Sequence, residues 1–172
     1  KLSMASFGPG TSSHLAGELF KEQAGIDMLH VPFKGATQAL PALISGDVDV
    51  FFDMVATGMP QADAGKVNVF GISSPTRLPT LPNLATLAEE GYPKFDMTAW
   101  FSFVAPKGTP ADAVARLQQA LQATLKDETV RKKMLDMGIN PRNGTAEELT
   151  TQIKNEQPVV GQLVKQANIQ VQ

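Results

Sequence analysis

The residues best equipped for chemistry stand together near the start of the chain, in Ser6-Phe7-Gly8-Pro9-Gly10-Thr11-Ser12-Ser13-His14. Gly8 and Gly10 let the backbone come close to a bound group. Thr11, Ser12 and Ser13 set hydroxyls beside the N–H groups that a helix leaves unpaired at its start. Such a turn can hold a carboxylate or phosphate with neutral donors, because the helix start carries partial positive charge and points its N–H groups outward. The same residues also suit an ordinary glycine turn with a Ser/Thr N-cap, the commoner use of this local pattern.

Other polar residues extend the reading. His14 falls in the first helical turn, where its ring can touch a ligand or orient the loop, and a lone helical His is more often structural. Asp53 follows a run in which Val48, Val50 and Phe52 share one side. At that strand end it can accept a hydrogen bond from a ligand group or an ordered water, or cap the segment that follows. A hydrolytic enzyme is the main alternative, with Thr11, Ser12 or Ser13 as nucleophile and His14 or His30 as base. Against it, Ser13 and His14 are helix neighbours that point in different directions, and the sequence has no Gly-x-Ser-x-Gly elbow. Phe7, Phe33 and Trp100 read as core or cleft-wall groups.

The elements that must position these residues alternate strand with helix, which argues for an α/β fold. Strands are expected at Lys1 to Ser6, Met28 to Phe33, Val48 to Phe52, Val67 to Ser73 and Met97 to Ala105. A first helix from Ser13 to Ala24 is closed by Gly25. A second covers Ala39 to Ser45, with Pro41 tolerable only in its first turn, and a short or irregular helix lies between Met54 and Gly65. The prolines of Ser74 to Asn83 predict an extended loop, followed by a short helix boxed by Thr86 and Glu89. Thr109, Pro110 and Asp112 then open a helix whose buried stripe is Val114, Leu117, Leu121 and Leu125. Another helix follows Asp127 and stops at Gly138. Thr145 and Glu148 box the start of a long one, with Leu149, Ile153, Val160, Leu163 and Val164 inward and a kink at Pro158.

Composition narrows the function. Fifteen Lys and Arg against seventeen Asp and Glu give a net charge of −2, scattered along the chain, so no nucleic acid partner is expected. An anionic ligand would need local donors rather than bulk charge. The absence of cysteine excludes disulfides and thiolate metal sites, and no metal or cofactor is expected. The chain opens at Lys1 and is strand-like within two residues, which suggests an excised or incomplete chain.

The glycine loop also carries a resemblance. Gly8, Gly10, Thr11 and His14 match a Gly-x-Gly-Thr-x-x-His loop between strand and helix in the substrate-binding proteins of tripartite tricarboxylate transporters, the TctC or Bug type. The likeness continues through His14-Leu15-Ala16-Gly17-Glu18-Leu19-Phe20, His30 to Gly35, Gly46 to Asp53, Arg77 to Pro82, Thr98 to Phe101 and Ala105 to Pro110. It implies a two-lobed α/β fold of periplasmic-binding-protein type II, here incomplete. Residues 1–97 would be the second lobe lacking its first elements, and 98–172 a crossover strand with the C-terminal helical part of the first lobe. In the family a second glycine loop, in a segment absent from this sequence, supplies opposing carboxylate contacts.

By that resemblance the chain captures a small carboxylate without catalysing a reaction and delivers it to the membrane subunits of the transporter. The implied setting is the periplasm, with a signal peptide in the precursor. The implied ligand-binding residues are Gly8, Gly10, Thr11, Ser12, His14 and Asp53, with Gly10, Thr11 and Ser12 foremost. Exposed helix stripes and an unpaired strand edge predict self-association of this chain taken alone. An effector-binding lobe of a regulator shares the architecture, although no helix-turn-helix or basic face accompanies it here.

Overall fold

A computed structural model describes residues 1–169; the last three positions of the expected C-terminal region lie outside the described residues. The elements are β1 (Ser3–Ser6), α1 (Ser12–Ala24), β2 (Leu29–Pro32), α2 (Ala36–Ser45), β3 (Val50–Phe51), α3 (Val55–Asp63), α4 (Ala111–Lys126), α5 (Glu128–Asp136) and α6 (Ala146–Gln166). All three strands are parallel, in the order β2-β1-β3. Ser3 stands opposite Leu29, Ser6 opposite Pro32 and Met4 opposite Val50. Asp49 pins the start of this ladder, accepting from both the N–H and the hydroxyl of Ser3 at 2.7 Å.

A parallel sheet must be covered on both faces, because its crossover connections lay helices there. Ala5 faces α2 in a cluster with Ala39 and Val48, flanked by half-buried Val31, Phe33, Leu43 and Phe51. On the other face Met4 meets α1, which comes so close that a Cβ added at Gly17 would lie 1.7 Å from the Met4 sulfur. Leu15, Ala16 and Leu19 of α1 then pack with Leu87, Phe95 and Leu163, so the end of α6 closes over α1.

Several helix boundaries follow their local chemistry. Gly25 takes the left-handed cap conformation at φ 63°. Asp127 accepts from the Val130 N–H at 2.9 Å, and Thr145 with Glu148 forms both bonds of a capping box.

Other expectations are overturned. Met97 to Ala105 forms no strand, and Phe101, Phe103 and Val104 are 75%, 81% and 84% exposed. Val67 to Ser73 contributes only an isolated bridge between Ile72 and Thr86. Strand composition needs a neighbour to supply the ladder; along Val67 to Ser73, residues 85–87 bond only Ile72, too little contact to extend a strand there. The expected strand Val48 to Phe52 is reduced to Val50–Phe51. Thr86 and Glu89 bond reciprocally at 2.8 and 3.2 Å, but around a turn rather than a helix. Gly35, at φ 120°, turns the chain into α2 earlier than expected. Pro41 therefore stands in the second turn, facing the Thr37 carbonyl without an N–H to offer. Pro110, not Thr109, caps α4, since the Thr109 hydroxyl donates to the Pro106 carbonyl instead. The stripe of α4 is not buried: Val114 and Leu117 are 40% and 56% exposed. On α6, Leu163 is buried whereas Ile153 is exposed.

The contact between Gly17 and Met4 can be tested against a glycine in open space. Gly17→Ala forces fully buried Met4 aside and should destabilise the chain by about 1–3 kcal/mol. Gly161→Ala, on α6 with no atom near its added Cβ, should stabilise by up to ~1 kcal/mol through helix propensity. Urea denaturation of the two variants reads both signs.

Candidate functional site

The loop from β1 to α1 lies at the carboxyl edge of the sheet. Gly8 (φ 124°) and Gly10 (φ 75°) take backbone conformations that other residues avoid, and together they fold the chain back before the helix. The turn closes on the Gly8 carbonyl, which accepts from the Thr11 N–H at 3.3 Å and the Thr11 hydroxyl at 2.7 Å. Thr11 is the N-cap, accepting from the His14 N–H through Oγ1. The first helical bond runs from the Leu15 N–H to the Thr11 carbonyl at 2.9 Å. Among the described residues no acceptor meets the N–H of Ser12, the N–H of Ser13 or the hydroxyl of Ser12. Thr11 and Ser12 are half-buried, whereas Ser13 and His14 are buried.

Three side chains hold this loop in place. The buried Ser13 hydroxyl donates to the Phe52 carbonyl at 2.6 Å, tying the start of α1 to the end of β3. The His14 Nδ1 accepts from the Gly10 N–H at 3.2 Å. Its ring proton therefore sits on Nε2, 3.5 Å from Glu18 Oε1. The ring also stacks on His30, with centroids 3.6 Å apart and planes 10° from parallel. Ser6 Oγ lies 2.6 Å from His30 Nε2 and accepts from the Gly8 N–H at 3.0 Å. Burial holds the His14 imidazole below its usual pKa. Burial first, then neighbouring His14, lowers His30 to about 4. Both rings are neutral at physiological pH.

Behind the loop is an open cleft of about 380 Å³ between Pro9, His14, Glu18, Lys21, His30 and residues 167–169. The Glu18 carboxylate in it is paired with Lys21 at 2.9 Å.

Asp53 is half-buried at the end of β3. Its Oδ1 accepts from the Thr57 hydroxyl at 2.8 Å, so it braces the first turn of α3. Its Oδ2 is buried without a partner among the described residues. Burial raises its pKa, with the bond from Thr57 acting in the opposite direction.

Gly8, Gly10, Thr11, Ser12 and His14 thus come together in one loop. Asp53 stands one residue beyond the Ser13 tie, yet no hydrogen bond links its carboxylate to that loop. Ser6 was not among the expected site residues, and His30 was expected only as a base in the hydrolytic alternative. They sit on adjacent strands, and pairing β1 with β2 in parallel is the signal that could have joined them. Hydrolytic chemistry finds little support: the Ser13 and Thr11 hydroxyls donate to carbonyls, Ser6 is wholly buried, and His14 Nδ1 is occupied by Gly10.

A parallel sheet flanked by helices, with a glycine loop leading from the first strand into the first helix, places the chain in the α/β class. The chain belongs to the family described as tripartite tricarboxylate transporter family receptor, which matches residues 1–169. A Pseudomonas sp. (strain P51) protein, from the tcbD-tcbE intergenic region, is 37% identical over 157 residues, covering 91% of this chain and 47% of its own length. A Pseudomonas knackmussii protein, from the clcB-clcD intergenic region, is 36% identical, covering 91% of this chain and 94% of its own. Among solved structures, an R. palustris protein with adipate superposes at TM-score 0.88 with 29% identity. MatC from Rhodopseudomonas palustris, with bound malate, superposes at 0.82 with 32% identity. The chain covers 56% of each of those two structures and spans about half the length of most of the curated relatives it matches. The fold is accordingly a partial two-lobed periplasmic-binding-protein fold, and no described helix is long and apolar enough to cross a membrane.

Asp53 offers a signed test. Its folded pKa is raised, so the ionised carboxylate costs stability at neutral pH, and that cost fades as pH falls through the folded value. Asp53→Asn keeps an acceptor for Thr57. It should raise the melting temperature at pH 7, where the ionised carboxylate costs stability. The gain should shrink toward pH 4, as calorimetry at both pH values would register.

Proposed function

We propose that the chain is part of an extracytoplasmic solute-binding protein that captures a small carboxylate and passes it to the membrane subunits of a tripartite transporter. The observation that carries this reading is the pair of unpaired N–H groups at Ser12 and Ser13, beside the free Ser12 hydroxyl, at the start of a 13-residue helix. Such a group of donors suits a carboxylate without needing a cationic side chain. No basic residue lies between Lys1 and Lys21. Relatives solved with adipate and with malate support the choice of ligand class.

In this reading Gly10, Thr11 and Ser12 contact the carboxylate, and Gly8 shapes the turn. His14 holds the loop from behind, since its Nδ1 is committed to the Gly10 N–H. Asp53 braces the start of α3 beside the loop through Thr57, and its buried Oδ2 takes an ordered water. Residues 1–97 serve as one lobe and 98–172 as the crossover and helical part of the other, with opposing contacts supplied by a second loop. The protein works in the periplasm as a carrier, not an enzyme. Taken alone, this chain self-associates through the apolar segment around Phe101 and Phe103, which is largely exposed.

A thermal-shift and calorimetric screen with malate, adipate and a tricarboxylate tests the reading. One of these acids should stabilise the protein, by about 2.7 kcal/mol at 100 times its dissociation constant. Ser12→Ala and Thr11→Ala should each weaken binding about tenfold, whereas Lys34→Ala and Arg77→Ala should leave it within about twofold. Loss of binding in the Lys34 or Arg77 variant, with the loop variants unaffected, would refute it.

A further inference from the structure

The two histidines do more than fill space behind the loop. Each bonds a group that shapes the turn: His14 Nδ1 accepts from the Gly10 N–H, and His30 Nε2 shares a hydrogen with the Ser6 hydroxyl, whose oxygen receives the Gly8 N–H. The Ser6 hydroxyl has two partners in reach, His30 Nε2 at 2.6 Å and the Gly8 carbonyl at 3.3 Å. The rings are stacked at 3.6 Å, so neither can turn without moving the other. We propose that His14 and His30 form a paired set of positioning residues that fix the Gly8–Ser12 loop for its ligand, and that their hold loosens as the rings take protons, above all when His14 does. The proposal rests on that loop being the carboxylate site.

The reason is proton arithmetic. A proton on His14 Nδ1 would meet the Gly10 N–H head-on, and a proton on His30 Nε2 would commit the Ser6 hydrogen to the Gly8 carbonyl. The first event frees the Gly10 N–H that fixes the turn, and a charge on His30 repels a charge on His14 across the stack. Among the described residues the charged groups facing the pair are Glu18 and Lys21 of α1. Asp27 reaches them only through Lys21, at 3.9 Å. From the end of α6 the cleft receives Ala167, Asn168 and Ile169, none of them titratable. Glu18 could offset a charge on His14, but it is held by Lys21. Burial keeps both rings neutral at pH 7 and lets them charge only in acid. The folded pKa values lie below the unfolded ones, so the ordered loop is intact above about pH 6.5 and is lost as pH falls toward 4.

The test pairs the wild type with His14→Asn/His30→Gln, whose amide oxygens can replace Nδ1 and Nε2 as acceptors but do not titrate. In ligand-free protein, the Gly8 and Gly10 amide signals should move together with the two imidazole titrations between pH 7.5 and 4, and stay still in the double variant. Affinity for malate and adipate in the wild type should fall at least about threefold more than in the double variant over the same range, which removes the acids' own titration from the comparison. His14→Leu should bind weakly at both ends. Amides that ignore the imidazole titrations, or an equal fall of affinity in both proteins, would overturn the proposal. Failure of either protein to bind any acid at pH 7.5 would count against the carboxylate reading instead, and the ligand-free amide signals would still decide the role of the histidines.

Discussion

A helix that begins at the carboxyl edge of a parallel sheet leaves N–H groups without partners, and those of Ser12 and Ser13 organise what surrounds them. Such donors are costly if sealed away and useful if left facing a cleft. Among the described residues no acceptor meets them, and the neighbouring polar groups fix the turn that precedes them. Ser13 ties the helix start to β3 at Phe52, Thr11 closes the turn on Gly8, and His14 holds Gly10 from the other side. The loop is thus held at three points without using the donors that face outward.

That arrangement depends on how closely α1 lies on the sheet. Gly17 lets the helix settle against Met4, and Leu15 and Leu19 draw it into a cluster with Phe95 and Leu163. The C-terminal end of α6 therefore helps to seat the element that carries the loop. By contrast Val114 and Leu117 of α4 and Phe101, Phe103 and Val104 stay exposed, while Met97 packs on the cluster that seats α1.

Where a signal was local, the sequence was readable. The Gly-x-Gly-Thr turn, the left-handed Gly25, the Asp127 cap and the Thr145 to Glu148 box are decided within a few residues, and each forms as expected. Strands were harder: Val67 to Ser73 has the composition but pairs only at Ile72, and Met97 to Ala105 forms no strand at all. Thr109 shows how weak a cap signal becomes when its hydroxyl finds an earlier carbonyl. Around the site, Gly8 to His14 were legible as one motif, while the contact between Ser6 and His30 spans 24 residues and exists only once β1 pairs with β2. Asp53 was legible as a strand-end carboxylate. Its bond to Thr57 and its free second oxygen depended on where α3 would start.

The central claim is that a ligand carboxylate is received by the helix start of α1. Its most direct test is the amide spectrum of the isotopically labelled protein during titration with malate or adipate. The account predicts that the Ser12 and Ser13 N–H signals move downfield and saturate together with the bound fraction. Saturable binding of either acid with both signals unmoved would contradict it.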